Sequence, residues 1–200
     1  METLTGLLKK GQEILVQAGI EEAGLDARLL LEYITGKSRA YYLAHGEECV
    51  TKETADRYLE LVTGRSQHIP LQHLTHQAFF MGYEFYVNED VLIPRQDTET
   101  LVEEALRLLK GRQKPRVLDM CTGSGCILTS ILLEVPDASG TGADLSEKAL
   151  KVAACNARRL QTADRAEFVK SDLFSSEYFS GSVYDVLISN PPYIPTEEIE

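Results

Sequence analysis

Apolar residues recur at helical spacing along the first 68 residues of the chain. Asp26 and Thr51 are candidate N-caps, because short polar side chains favour helix starts. Gly19, Gly36 and Gly64 are candidate helix ends. The predicted helices cover residues 5–19, 26–36 and 51–64. Helices this short are marginally stable alone, so we predict that residues 1–68 pack as a small helical bundle.

A different pattern follows over residues 69–96. Aromatic and β-branched residues dominate it, with Gly82 in the middle, which predicts a β-hairpin or two short strands. A helix is then predicted with Asp97 or Thr98 as its N-cap. We therefore treat residues 69–96 as a hairpin linker that leads into a third region, residues 97–200.

Strands and helices alternate after Pro115. The predicted strands cover residues 116–120, 139–144, 166–172 and 183–189, and the predicted helices cover residues 125–135 and 146–160, the latter capped by Ser146. Strand–helix–strand repeats of this length specify a parallel sheet with right-handed crossovers. The predicted fold class is therefore α/β: a helical bundle, a β-hairpin linker and a Rossmann-like sheet.

Composition and charge narrow the function classes. The chain is 44% hydrophobic and 26% charged, as in an ordinary globular protein. Its net charge of −11 disfavours a protein that binds nucleic acid over its whole surface. No apolar run has the length of a membrane span, and the N-terminus has no signal-peptide core. The cysteines and histidines lack the spacings of metal ligands, so we expect no metal, reduced thiols and a cytoplasmic location.

A glycine-rich loop lies between the first strand of the sheet and its helix. Residues 119–126 read Asp-Met-Cys-Thr-Gly-Ser-Gly-Cys. Gly123 and Gly125 allow a ligand to approach the backbone closely, and the next helix offers free N–H donors. A dinucleotide fingerprint would place a third glycine where Leu128 stands, and no Lys-Ser/Thr pair follows the loop. The pattern therefore weighs against NAD and FAD and excludes a Walker-type phosphate loop.

Polar residues mark the carboxyl ends of the following strands. Asp144 ends the second strand, where it is placed to accept hydrogen bonds from ribose hydroxyls. Asp172 and Leu173 end the third strand and could flank an adenine. Each feature alone is common in structural roles, and Asp144 could simply cap a helix. Ligands of open α/β sheets bind outside the carboxyl ends of the strands, so the features together predict a binding site.

The fourth strand runs into Asn190, Pro191, Pro192 and Tyr193. Two prolines remove two backbone donors and fix two φ angles, so the strand must end in a stiff turn. Such a turn either only terminates the strand or presents an amide and an aromatic face to a ligand. Its place beside the other three strand ends favours the second interpretation.

The combination of motifs resembles a known enzyme family. VLDMCTGSGC, GAD, SDLF and ISNPPYIP are similar to class I S-adenosylmethionine-dependent methyltransferases with an NPPY motif. LDARLLLEYITG, PLQHLT and LIPRQDTETLVE narrow the resemblance to the PrmC/HemK family of release factor glutamine methyltransferases. The resemblance implies methyl transfer from S-adenosylmethionine to the side-chain amide nitrogen of the glutamine in the Gly-Gly-Gln motif of class I peptide-chain release factors.

The resemblance also implies roles for individual residues. Contact with the methionine part of the cofactor is implied for Cys121, Thr122, Gly123, Ser124 and Gly125. Asp144 would hold the ribose, and Asp172 and Leu173 would border the adenine. Asn190 would face both cofactor and substrate. The helical domain and the hairpin would bind the release factor, with no membrane or direct nucleic-acid partner expected.

The NPPY residues suit the implied chemistry. An amide nitrogen is a poor nucleophile, so its NH₂ group must be held and polarised. The Asn190 side-chain oxygen and the Pro191 carbonyl can each accept one amide hydrogen, and Pro192 helps to keep that geometry stiff. Tyr193 can pack on the amide plane. Orientation of this kind is worth about 7–11 kcal/mol in well-aligned cases.

Three departures from the family pattern lead to further expectations. Cys121 replaces the first glycine of the loop, which predicts that this position does not need a positive φ. Gln96 replaces a proline in the linker, which predicts a looser turn and an intact site. The family sheet has more strands than the four predicted here, so we expect a truncated methyltransferase domain with the fourth strand at a sheet edge.

Three alternatives stay open on the sequence alone. An adenine-specific DNA or RNA methyltransferase would use the same turn to hold an exocyclic amine, although the acidic charge counts against it. A ribosomal-protein glutamine methyltransferase would share the fold. A non-catalytic module would bind release factors through the helical bundle alone.

Overall fold

The computed structural model describes residues 2–192 of the chain. The chain divides into two compact units, Met1–His76 and Gln77–Glu200. The predicted hairpin therefore groups with the sheet, in the second unit. None of the helices within the described residues combines the length and the apolar character that crossing a bilayer requires.

The first unit is a helical bundle, as predicted. Its helices within the described residues are α1 (Leu4–Gln17), α2 (Ala23–Thr35), α3 (Arg39–His45), α4 (Lys52–Ser66) and α5 (Leu71–Thr75). Leu7, Leu15, Leu30 and Tyr58 are fully buried in the core that α1, α2 and α4 share. Burial of these apolar faces stabilises helices that would be marginal in isolation.

Two predicted helix ends in this unit are wrong. Helix α2 begins at Ala23, and Asp26 lies inside the helix, where its Oδ2 accepts a hydrogen bond from Nε of Arg65 at 2.6 Å. An ion pair with a residue distant in sequence thus replaces the predicted capping role. Helix α4 continues past Gly64 to Ser66, because a single glycine lowers helix stability without ending a packed helix. Thr51 does cap α4 by accepting a hydrogen bond from the Thr54 N–H.

The second unit opens with the predicted hairpin. Strands β1 (Ala78–Phe80) and β2 (Tyr83–Phe85) pair in antiparallel fashion. Met81 and Gly82 both have positive φ, 52° and 78°, as a tight type I′ hairpin turn requires. The Met81 N–H also donates to Oε1 of Glu99 at 2.7 Å, which fixes the turn to the next helix.

A parallel sheet forms the centre of the second unit, which confirms the predicted fold class. Its strands within the described residues are β3 (Arg116–Met120), β4 (Ser139–Asp144), β5 (Ala166–Lys170) and β6 (Val186–Ser189), in the order β5-β4-β3-β6. The accompanying helices are α6 (Glu99–Leu109), α7 (Cys126–Glu134) and α8 (Glu147–Arg159). Ser146 caps α8 as predicted, and β6 is an edge strand of the described sheet.

Helix α6 has Thr98 at its N-cap position, one of the two residues predicted for it. A short 3₁₀ turn, Gln96–Thr98, precedes it, and Thr98 at the cap position makes no side-chain capping hydrogen bond.

The strand register brings the carboxyl ends of neighbouring strands together. Met120 pairs with Ala143 on one side and with Ser189 on the other, and Asp144 pairs with Lys170. The carboxyl ends of all these strands therefore lie at one edge.

Candidate active site

The loop after β3 contains three residues in the left-handed region. Cys121, Gly123 and Gly125 have φ values of 62°, 54° and 73°. The prediction that Cys121 does not need a positive φ is wrong. The chain must leave β3 sharply, and two backbone hydrogen bonds hold the turn, from Thr122 N–H to Ala143 O at 2.9 Å and from Gly125 N–H to Thr122 O at 2.8 Å. A cysteine there stores strain that glycine would avoid.

The two glycines of this loop serve different purposes. A Cβ atom on Gly123 would meet nothing within 4 Å, so the backbone there borders open space. A Cβ atom on Gly125 would lie 2.9 Å from Cβ of Ala153 on α8, so Gly125 permits close helix packing. Leu128, at the third position of a dinucleotide fingerprint, is fully buried instead. The loop therefore packs tightly against α8 at Gly125 and borders open space at Gly123.

A buried carboxylate that the sequence analysis missed holds the loop in place. Asp119 is inaccessible to solvent, and its Oδ2 accepts hydrogen bonds from the Thr122 hydroxyl at 2.6 Å and the Leu128 N–H at 3.4 Å. Its Oδ1 has no partner within the described residues. Burial raises the pKa of Asp119 to about 7, because removal from water disfavours the charged form. Its position on a buried strand, directly before the loop, was the available signal.

Asp144 lies at the end of β4, beside the loop. Its Oδ2 accepts a hydrogen bond from the Gly123 N–H at 2.9 Å, and its Oδ1 accepts one from the Ser146 N–H at 2.9 Å. The residue is only partly buried, and each carboxylate oxygen can accept more than one hydrogen bond. The Asp144 carboxylate, which holds the loop through the Gly123 N–H, can therefore also accept hydrogen bonds from ligand hydroxyls.

Asp172 and Leu173 follow β5 and lie at the next position along the same edge. The Ser171 N–H donates to Asp144 O at 3.0 Å, so this segment begins directly beside Asp144. Both residues are exposed, and neither is among the residues lining the cleft that contains the loop. Leu145 and Phe174, which the sequence analysis did not single out, are also more than half exposed at this edge, at 64% and 57%. The edge thus offers apolar as well as polar contacts.

Asn190 follows β6 on the other side of the loop. Its Nδ2 donates a hydrogen bond to Oγ1 of Thr98 at 3.1 Å. A cleft of about 60 Å³ is lined by Asn190, Thr98, residues 121–124 and residues 92–95, among others. Pro191 and Pro192 are exposed, and Tyr193 lies outside the described residues. The structure therefore brings Asn190 and the glycine-rich loop together at one cleft.

A second missed residue connects the loop to the segment after β2. Asn156 of α8 is fully buried, and its Nδ2 donates hydrogen bonds to Tyr86 O and Ser124 O, each at 2.9 Å. Its Oδ1 accepts a hydrogen bond from the Tyr86 N–H at 2.7 Å. A polar residue on the apolar face of a predicted helix was the signal that could have indicated this role.

The cysteines of the loop are poorly suited to nucleophilic chemistry. Burial raises the pKa of the Cys121 thiol, and it raises the pKa of the Cys126 thiol to about 12. Both groups are therefore thiols rather than thiolates near neutral pH. Among the described residues, no group of three or more His, Cys, Asp or Glu side chains could hold a metal ion. The site instead offers hydrogen-bond acceptors, such as the Asp144 carboxylate, and the tight turn of residues 121–125.

Comparison with known proteins identifies the family. Residues 6–75 match the PrmC N-terminal domain model, and residues 97–200 match the methyltransferase small domain model. The chain is 37% identical to the release factor glutamine methyltransferase of Chlorobaculum tepidum, over 96% of this chain and 68% of that protein. It is 41% identical to the protein of the same name from Bordetella pertussis, over 94% of this chain and 67% of that protein. The chain belongs to the release factor glutamine methyltransferase family.

As a member of this family, the chain carries its candidate site within the matched segments. The loop, Asp144 and Asn190 all fall inside the methyltransferase small domain match. A solved structure, the SAM-dependent methyltransferase from Agrobacterium tumefaciens, aligns with a TM-score of 0.47 at 19% identity, over 58% of this chain and 39% of that chain. The family assignment rests on the sequence relatives and the family models.

Proposed function

We propose that this chain transfers a methyl group from S-adenosylmethionine to the side-chain amide nitrogen of the Gly-Gly-Gln glutamine in class I peptide-chain release factors. One observation carries the proposal. In a member of the release factor glutamine methyltransferase family, the sheet brings the loop, Asp144 and Asn190 to one edge. The family membership and the net charge of −11 both favour this activity over methylation of adenine in nucleic acids.

The described residues fit the proposed cofactor. Residues 121–125 border the methionine part, where the space at Gly123 is open. Asp144 accepts hydrogen bonds from the ribose hydroxyls, and Asp172 and Leu173 border the adenine. S-adenosylmethionine supplies an electrophilic methyl group on a positively charged sulfur. The role of the chain is to orient that group towards the substrate nitrogen.

Asn190 is proposed to hold the substrate amide. Its Oδ1 accepts one hydrogen of the glutamine NH₂, and the Pro191 carbonyl accepts the other. Both acceptors stabilise positive charge that develops on nitrogen. The methyl group would come from S-adenosylmethionine held by residues 121–125 and Asp144, and the substrate nitrogen would lose one proton to solvent. Pro191 and Pro192 restrict the backbone, and stacking by Tyr193 stays a prediction.

The helical unit is proposed to recognise the release factor. The first family match covers this unit and is separate from the methyltransferase match, which supports a distinct task for it. The hairpin is proposed to contribute to the same recognition. A substrate of the translation machinery also supports the proposed cytoplasmic location.

The test is a methyl-transfer assay followed by peptide mass spectrometry. The chain is incubated with S-adenosylmethionine and a class I release factor, and we expect one added methyl group on the Gly-Gly-Gln glutamine. Asn190→Ala should lower kcat by roughly 100-fold or more, as loss of a preorganised polar contact does elsewhere. Lys151→Ala, an exposed change on α8, is the matched control and should retain activity. Methylation of nucleic acid, or an unmodified glutamine from a folded chain that binds the cofactor, would overturn the proposal.

A further inference from the structure

Thr98 is placed to act on Asn190 rather than on its own helix. Its side chain is almost completely buried, with 8% of the residue exposed. It occupies the cap position of α6, where threonine commonly accepts a backbone hydrogen bond, yet its hydroxyl makes no such bond. The hydroxyl oxygen instead accepts a hydrogen from Nδ2 of Asn190, 92 residues away in sequence, at 3.1 Å.

This contact defines which end of the Asn190 carboxamide is left for a ligand. A carboxamide has a donor end and an acceptor end on the same planar group, and a half-turn exchanges them. With Nδ2 bonded to Thr98, Oδ1 is at the opposite end of the amide. Within the described residues, no second hydrogen bond fixes the Asn190 side chain. Thr98 and Asn190 both line the cleft that contains the glycine-rich loop.

We infer that Thr98 is a positioning residue that orients Asn190 with its oxygen towards the substrate amide. The inference rests on the proposed function, because it assigns the Asn190 oxygen to a glutamine NH₂ group. Without the Thr98 hydroxyl, the Asn190 Nδ2 loses the hydrogen bond that holds the carboxamide in place among the described residues. The Asn190 oxygen is then no longer held towards the substrate amide, and the substrate hydrogen loses a fixed acceptor.

Substitutions of matched size test the inference kinetically. Thr98→Val keeps the shape and removes the hydroxyl, so kcat for release factor methylation should fall about 10-fold or more, while KM for the release factor and Kd for the cofactor change less than about twofold. Thr98→Ser should restore kcat to within about threefold of the wild type, because it returns the hydroxyl. Thr100→Val, the same change at an exposed position of α6, is the control and should behave as wild type.

A spectroscopic measurement separates this inference from the proposed function. In ¹⁵N-labelled chain, the side-chain NH₂ resonances of Asn190, assigned with Asn190→Asp, should shift and exchange faster with solvent in Thr98→Val but not in Thr98→Ser. A wild type that binds cofactor but leaves the release factor unmodified would overturn the proposed function, whatever these resonances do. An active wild type with unchanged kcat and unchanged Asn190 resonances in Thr98→Val would overturn the positioning role alone.

Discussion

Cys121 combines a side chain that has a Cβ atom with a backbone conformation that favours glycine. Its φ of 62° lies in the left-handed region, where a residue with a Cβ atom is strained. Cys121→Gly should raise the free energy of unfolding by roughly 0.5–1 kcal/mol, the relief of strain being partly offset by the greater freedom of glycine in the unfolded chain. Cys121→Val should destabilise, because β-branched residues adopt this region least readily. Urea unfolding checks both changes. A Cys121→Gly variant that is less stable than wild type would contradict the conclusion that Cys121 is strained.

Asp119 should make the stability of the second unit depend on pH. Burial raises its pKa from 3.8 to about 7, so the folded chain binds this proton more tightly than the unfolded chain. The resulting stability is complete below the unfolded pKa and is lost as the pH rises through the folded pKa. Asp119→Asn, which stays neutral, should therefore gain stability relative to wild type between about pH 4 and pH 7.

Urea unfolding of wild type and Asp119→Asn between about pH 4 and pH 7 checks this prediction. Titrating groups that do not interact with Asp119 affect the two chains equally, so the difference between their unfolding free energies isolates Asp119 and the groups coupled to it. That difference should increase with pH and then level off. A difference that is constant with pH would show that the carboxyl group does not titrate there.

The helix α8 and the segment after β2 depend on each other through Asn156. The side chain makes three hydrogen bonds to backbone atoms of Tyr86 and Ser124 while fully buried. Asn156→Ala removes these three hydrogen bonds and should destabilise the second unit by roughly 2–4 kcal/mol. Lys151→Ala, exposed on the same helix, should change stability by less than about 0.5 kcal/mol. Chemical denaturation followed by circular dichroism measures both, and equal effects would contradict the role of Asn156.

Elements with strong local signals could be predicted from the sequence. The hairpin, the four described strands and the cap at Ser146 all follow from β-branched runs, strand–helix alternation and turn residues. Helices α3 and α5 were missed because seven and five residues are too few to show a helical period. Asp26 was misplaced because its partner, Arg65, comes from another helix, and no local pattern reveals such a contact.

The candidate site likewise contains features that local sequence signals predict and features that they do not. Parallel strands end at one edge, so the sequence could predict that the loop, Asp144, Asp172 and Asn190 share it. Thr98 and Asn156 escaped the prediction because their importance lies in contacts between distant segments. Asp119 escaped it although its own contacts, with Thr122 and Leu128, are local. The positive φ at Cys121 escaped it because a cysteine gives no signal for that conformation, and the turn geometry imposes it.

Calorimetric titration with S-adenosylmethionine tests most directly whether the edge of the sheet forms a cofactor site. Wild type and Asp144→Ala are compared, with circular dichroism to show that both are folded. Asp144→Asn keeps one acceptor for the Gly123 N–H, so it separates loop support from carboxylate binding. Glu147→Ala removes an exposed carboxylate nearby and serves as the control.

We expect wild type and Glu147→Ala to bind equally, Asp144→Ala to bind at least about tenfold more weakly, and Asp144→Asn to lie between them. Such a series would place the ligand against Asp144. A folded wild type that releases no heat of binding, or an Asp144→Ala chain that binds as well as wild type, would contradict the assignment of this edge as the cofactor site.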